Sequence, residues 1–83
     1  MATTSTTVNQ SDGWVLVDSS GADALIQCRS AGGELKVAFS TTAPAPESND
    51  YHVLRGGEYI RRIGVDDVYV STDHDNVVVT VSS

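Results

Sequence analysis

With a single cysteine, Cys28, among 83 residues, the chain can close no internal disulfide, and the usual covalent support of very small domains is excluded. Histidine is scarce too. His52 and His74 are the only two, too few for a His-rich zinc site, and with Cys28 they make three ligands only if the fold converges them. Five Lys and Arg stand against eleven Asp and Glu, a formal charge of −6. Phosphate recognition rests on clustered Lys and Arg, so no nucleic-acid partner is expected. No run of 18 apolar residues occurs, so no membrane-spanning helix is expected. Residues 1–12 lack the basic and apolar regions of a secretory signal, which points to synthesis in the cytoplasm. The sequon Asn9-Gln10-Ser11 is accordingly read as accidental. No stretch of useful length repeats apolar residues at helical spacing.

What the chain does have is alternation. Val77, Val79 and Val81 fall on one face of an extended segment, with Val78 and Thr80 on the other; Val68 and Val70 likewise oppose Tyr69. β-Branched side chains are stiff at χ1 and suit a pleated, half-buried surface better than a helix. These two runs read as strands of one hairpin joined across 72–76, a polar stretch expected to be exposed. Upstream, 14–17 is a short apolar strand. In 22–29, Ala24, Ile26 and Cys28 alternate with Leu25, Gln27 and Arg29, and in 35–40 Leu35, Val37 and Phe39 alternate with Lys36, Ala38 and Ser40. The Ala31-Gly32-Gly33 turn between these two runs predicts a second hairpin. Residues 51–54 and 58–63 complete about seven short strands. Their spacing predicts an all-β fold, a small β-sandwich or a jelly-roll-like barrel.

Two stretches break the pattern. Residues 1–12 are rich in Thr and Ser, with Val8 the one sizeable aliphatic side chain beyond Met1. They read as a flexible N-terminal arm ahead of a β-domain over 13–83. The arm is either a frayed terminus or a segment that orders against a neighbouring subunit, with Thr3, Thr4, Thr6 and Val8 as its contact residues. In 41–50, Pro44 and Pro46 remove amide donors and restrict Ala43 and Ala45 to extended conformations. That loop reads as a crossover between sheets or as a contact loop presented to a partner.

No catalytic or cofactor constellation stands out. Asp73, His74 and Asp75, with Asp66 and Asp67 nearby, lack the spacing of a calcium loop and read as solvated turns. Cys28 could head a nominal triad with either histidine, but its place beside Ala24 and Ile26 reads as a small buried hydrophobe. Arg55-Gly56-Gly57 is one RGG copy in an acidic chain and reads as a turn. Arg61 and Arg62 point to opposite faces of any strand. Trp14 reads as core or interface anchor and Tyr69 as an anchor, because large rings bring contact area at little entropic cost. Neither enzymatic activity nor a bound cofactor or metal is expected. A domain this small buries only roughly 60–65% of its unfolded surface, and the support left to it is oligomerisation or docking on a larger assembly.

Over residues 14–81, the order of these signals resembles small virion proteins of tailed bacteriophages, among them head decoration or cement proteins. The likeness runs through Val37, Ala38 and Phe39, the Pro44 and Pro46 loop, Leu54, the Gly57-Glu58 step, then Val68, Tyr69, Val70 and the closing valine strand. The resemblance implies a protein of the virion that binds the major capsid protein on the outer capsid surface. It also implies a homo-oligomer, often a trimer at local threefold positions, that reinforces contacts between capsomers. It carries no contact residue across. The alternative is a fibre or tail β-domain that binds a host glycan or protein through loops such as 41–50.

Overall fold

The closing valine alternation has the consequence it predicts: in the computed structural model, Val77, Val79 and Val81 are buried on one face of the last strand. The structure describes residues 3–21 and 23–82. Met1 and Ala22, the first residues of the expected arm and of the expected second strand, lie outside the described residues. Eight strands occur among the described residues: β1 (Thr3–Val8), β2 (Val15–Asp18), β3 (Ala24–Cys28), β4 (Glu34–Ser40), β5 (His52–Arg55), β6 (Tyr59–Arg62), β7 (Asp67–Ser71) and β8 (Val77–Ser82). A 3-10 turn at Gln10–Asp12 links β1 to β2.

The strands form two four-stranded sheets, ordered β1-β8-β3-β6 and β2-β7-β4-β5. Every pairing is antiparallel, and the pairs nest: β1 with β8, β2 with β7, β3 with β6, β4 with β5. Contacts of β3 with β8 and of β4 with β7 then join the pairs into sheets. This nesting is the winding of a jelly roll. The two sheets are separate and open-edged, so the architecture is a sandwich and not the closed barrel that was the other expectation.

The core lies between the sheets. Val8, Ala24, Ile26, Cys28, Val77, Val79 and Val81 come from the first sheet; Leu35, Val37, Leu54, Val68 and Val70 come from the second. Val15, Val17, Phe39 and Ile60 pack around them. Each buried Val is worth roughly 1.5–3 kcal/mol against exposure.

The structure corrects the expected connections. Both expected hairpins, β3–β4 and β7–β8, join strands of different sheets. The proline loop, one of whose readings was a crossover, instead joins β4 to β5, which are neighbours in one sheet. Alternation fixes which side of a strand is buried; it carries no information about which strand lies at its edge. The polar turn 72–76 is not wholly exposed either, since Thr72 is buried. Its hydroxyl donates to the Glu34 carbonyl at 2.7 Å and accepts the His74 N–H at 3.1 Å, which turns the chain from one sheet to the other.

The expected boundary between a 1–12 arm and a 13–83 domain is also absent. β1 pairs with β8 in unbroken register from Thr3↔Ser82 to Val8↔Val77. The turn after it is fastened to the β7–β8 connection: the Asn76 N–H donates to Asn9 Oδ1 at 2.9 Å and the Gln10 N–H to Asp75 Oδ1 at 3.3 Å. Thr is a good strand former, and the one large aliphatic of the segment, Val8, is fully buried.

Candidate interaction surfaces

The groups that could carry chemistry are dispersed. Cys28 is fully buried in the core, as its alternation with Ala24 and Ile26 predicts. His52 is exposed on β5 with its ring centroid 6.0 Å from that of Phe39. His74 and Asp75 lie exposed in the β7–β8 connection, and Asp73 pairs with Lys36 Nζ at 3.1 Å. Among the described residues no three His, Cys, Asp or Glu side chains come together as metal ligands. Also among the described residues, no helix is long and apolar enough to cross a membrane. Arg55-Gly56-Gly57 leads into a turn in which Glu58 closes back on Arg55: the Arg55 N–H donates to Glu58 Oε1 at 2.6 Å and the Glu58 N–H to the Arg55 carbonyl at 2.9 Å.

One surface is built on Arg62. Ile60 shares a strand face with Arg62, and that face turns inward, so a guanidinium enters the sandwich with only 1% of the residue exposed. There Nη2 meets Asp18 Oδ2 at 2.5 Å and Ser20 Oγ at 3.3 Å, while Nη1 donates to the Asp66 carbonyl. Arg62 therefore ties the β2–β3 connection to the β6–β7 connection. Between Arg62 and Asp66 the chain projects Ile63 and Val65 on either side of Gly64, 78% and 77% exposed. Two aliphatic side chains are thus held in water on a short turn whose two ends are pinned to each other. Tyr59, at the other end of β6, is 67% exposed.

A second surface lies on the outer face of β2-β7-β4-β5. Tyr69 is in register with Leu16 on one side and Ala38 on the other, and it points away from the core side of its strand. It is nonetheless buried to 9% exposure, and Ala38 to 3%, so neither offers a free contact. At the Lys36 end of this face the Trp14 and Tyr51 rings meet at 6.0 Å with a 54° tilt, and Lys36 Nζ lies 5.2 Å from the Tyr51 centroid. Trp14, Lys36, Ser71 and Asp73 line an open groove of about 360 Å³ with Pro44 and Pro46. The proline loop is therefore one wall of a groove.

The expected arm residues separate by parity. Thr3 is exposed, and its hydroxyl lies 2.7 Å from that of Ser82. Thr4 and Thr6 share the side of Val8; Thr4 is exposed, Thr6 half-buried and Val8 fully buried. Val8 is a core residue and not an arm contact. Sequence reasoning had not reached the inward course of Arg62, although Ile60 two positions earlier carried the signal, nor the apolar pair around Gly64.

These features define a small β-sandwich of jelly-roll winding whose distinctive groups are on its surface. Comparison with protein-family models, with curated proteins and with solved structures returns no significant match for the chain.

Proposed function

We propose that the protein is a structural virion protein of a bacteriophage that docks on the outer surface of the major capsid protein and decorates or cements the shell. The observation that carries this reading is the Ile63-Gly64-Val65 turn: two aliphatic side chains more than three-quarters exposed, fixed at their base by a buried arginine. Exposed apolar groups on an acidic, soluble domain gain most when another protein covers them, and a pinned turn loses little entropy on docking. The jelly-roll winding is one that capsid proteins use among others, an analogy at the level of fold alone. The test is co-sedimentation with empty capsids of the phage that encodes the chain, together with capsid resistance to heat and to loss of divalent ions. Ile63→Asp with Val65→Asp should abolish co-sedimentation and leave the thermal midpoint of the free protein unchanged. A purified protein that neither binds nor protects capsids sinks the proposal.

A second reading is favoured by the groove: a fibre or tail domain that binds a host glycan. Trp14 offers a ring for a sugar to stack on, and Lys36 and Asp73 line the same groove as hydroxyl donor and acceptor. On a glycan array this reading predicts binding that Trp14→Ala removes, whereas a pure cement protein scores nothing.

A further inference from the structure

A sandwich of two open sheets has four edge strands, here β1, β2, β5 and β6. An edge exposes unpaired N–H and C=O groups that template pairing with another chain, and proteins blunt such edges with charge, bulges or short length. Three of these four are blunted. β2 has four residues and a register shift between Leu16 and Asp18 that bends it out of line. β5 has four residues, and its last one, Arg55, has both its N–H and its C=O taken by Glu58. β6 has four residues, two of them Arg61 and Arg62.

β1 carries none of these devices. It is six residues long, Thr-Thr-Ser-Thr-Thr-Val, with no charge, no proline and no glycine, and its register on β8 is unbroken. In an antiparallel ladder alternate residues present both backbone groups to the same side, so three of the six face outward from this edge.

The geometry points to a second copy of this chain as the occupant of that edge. The pairing is an antiparallel one of β1 with β1 across a two-fold axis at Ser5. It would run the two β1-β8-β3-β6 sheets into one eight-stranded sheet. Charge selects the partner. A chain of formal charge −6 repels its own copies wherever carboxylates face each other, yet residues 3–11 and 76–82 contain no ionisable side chain. Both β1 and its inner neighbour β8 are therefore neutral, so two copies can approach here without like-charge contact. An axis at Ser5 sets Thr3 opposite Thr7 of the second copy and Ser5 opposite itself. These side chains stay on the outer face, where Thr and Ser pairs exchange hydrogen bonds. The contact is self-complementary, as a two-fold interface requires, and it differs from the trimer that the phage resemblance implies.

Sedimentation equilibrium and native mass spectrometry of the purified chain across a concentration series test this without any capsid, so the result is separate from the fate of the proposed function. The expected result is a monomer–dimer equilibrium. Ser5 is exposed, so Ser5→Lys should keep the circular dichroism and melting temperature of the parent. Its dissociation constant should rise about tenfold or more, because like charges then face each other across the axis. Ser5→Glu should do the same alone, and an equimolar mixture of the two variants should form the mixed dimer. Thr7→Lys, also exposed, is the second variant should Ser5→Lys disturb the fold. A chain that stays monomeric at the highest concentration, a trimer, or a dimer that Ser5→Lys and Ser5→Glu do not weaken would each overturn the inference.

Discussion

Arg62 Nη2 and Asp18 Oδ2 stand 2.5 Å apart and join the edge strand of one sheet to the edge strand of the other. The arginine side chain is 1% exposed and the aspartate 10%, so the two do not lose equally when parted. Asp18→Ala takes from a buried guanidinium the carboxylate it pairs with and is expected to cost about 3–5 kcal/mol. Arg62→Met leaves a carboxylate that is closer to water and replaces the guanidinium by an apolar chain, so it should cost less. Urea denaturation of the two variants gives the order directly; equal losses would show that the pair is not an asymmetric burial.

Gly56 lies against the turn after β3. A methyl group there would sit 2.6 Å from the Ser30 carbonyl oxygen and 3.0 Å from Ala31 Cα, both backbone atoms. Gly56→Ala should therefore destabilise by about 1–3 kcal/mol, the usual range for overpacking, seen as a lower thermal midpoint.

Val8 distinguishes a strand from an arm. Its side chain is fully buried in the core, so Val8→Ala should cost about 2 kcal/mol. Deleting residues 1–8 should abolish cooperative unfolding by calorimetry, since β8 would lose a whole partner strand. A dispensable arm would leave both measurements unchanged.

Cys28, wholly buried among aliphatic side chains, should be unreactive toward a thiol reagent until the domain opens. Its modification rate in native buffer should be that of the unfolded chain scaled by the unfolded fraction, and should rise in urea along the unfolding curve. Fast native labelling would place the thiol at the surface.

How far the sequence foretold this structure depends on the level. Period-two alternation located β2 to β8 within one or two residues, and it told the inward face where apolar and polar residues alternate, from Ala24, Ile26 and Cys28 to Val77, Val79 and Val81, but it left the face of β2, β5 and β6 open. It was silent on partners, because β3 followed by a Gly-Gly turn and β4 looks the same whether the next strand lies alongside or opposite. β1 was hidden by its hydroxyl side chains: Thr4 and Thr6 face the buried side without being hydrophobic, and only Val8 marks it. The surfaces were less legible still. Trp14 and the prolines were visible as candidates, but Tyr69 is covered, and the groove that joins Trp14 to Pro44 and Pro46 depends on long-range folding. Arg62 could have been read inward from its parity with Ile60.

The nested pairing has a consequence for how the molecule comes into being. β1 has β8 as its in-sheet partner, so the first strand of this domain to leave a ribosome waits for the eighth. Until Val77–Ser82 emerge, Thr3–Val8 have no ladder to join and Val8 has no core to enter. Closure then brings together residues as far apart in the chain as Thr3 and Ser82, a distant pairing of the kind that folds on the slow side of the range, in milliseconds to seconds. Folding of this domain should therefore be a single event that waits for β8, and a nascent chain arrested before residue 77 should remain open to protease along its length.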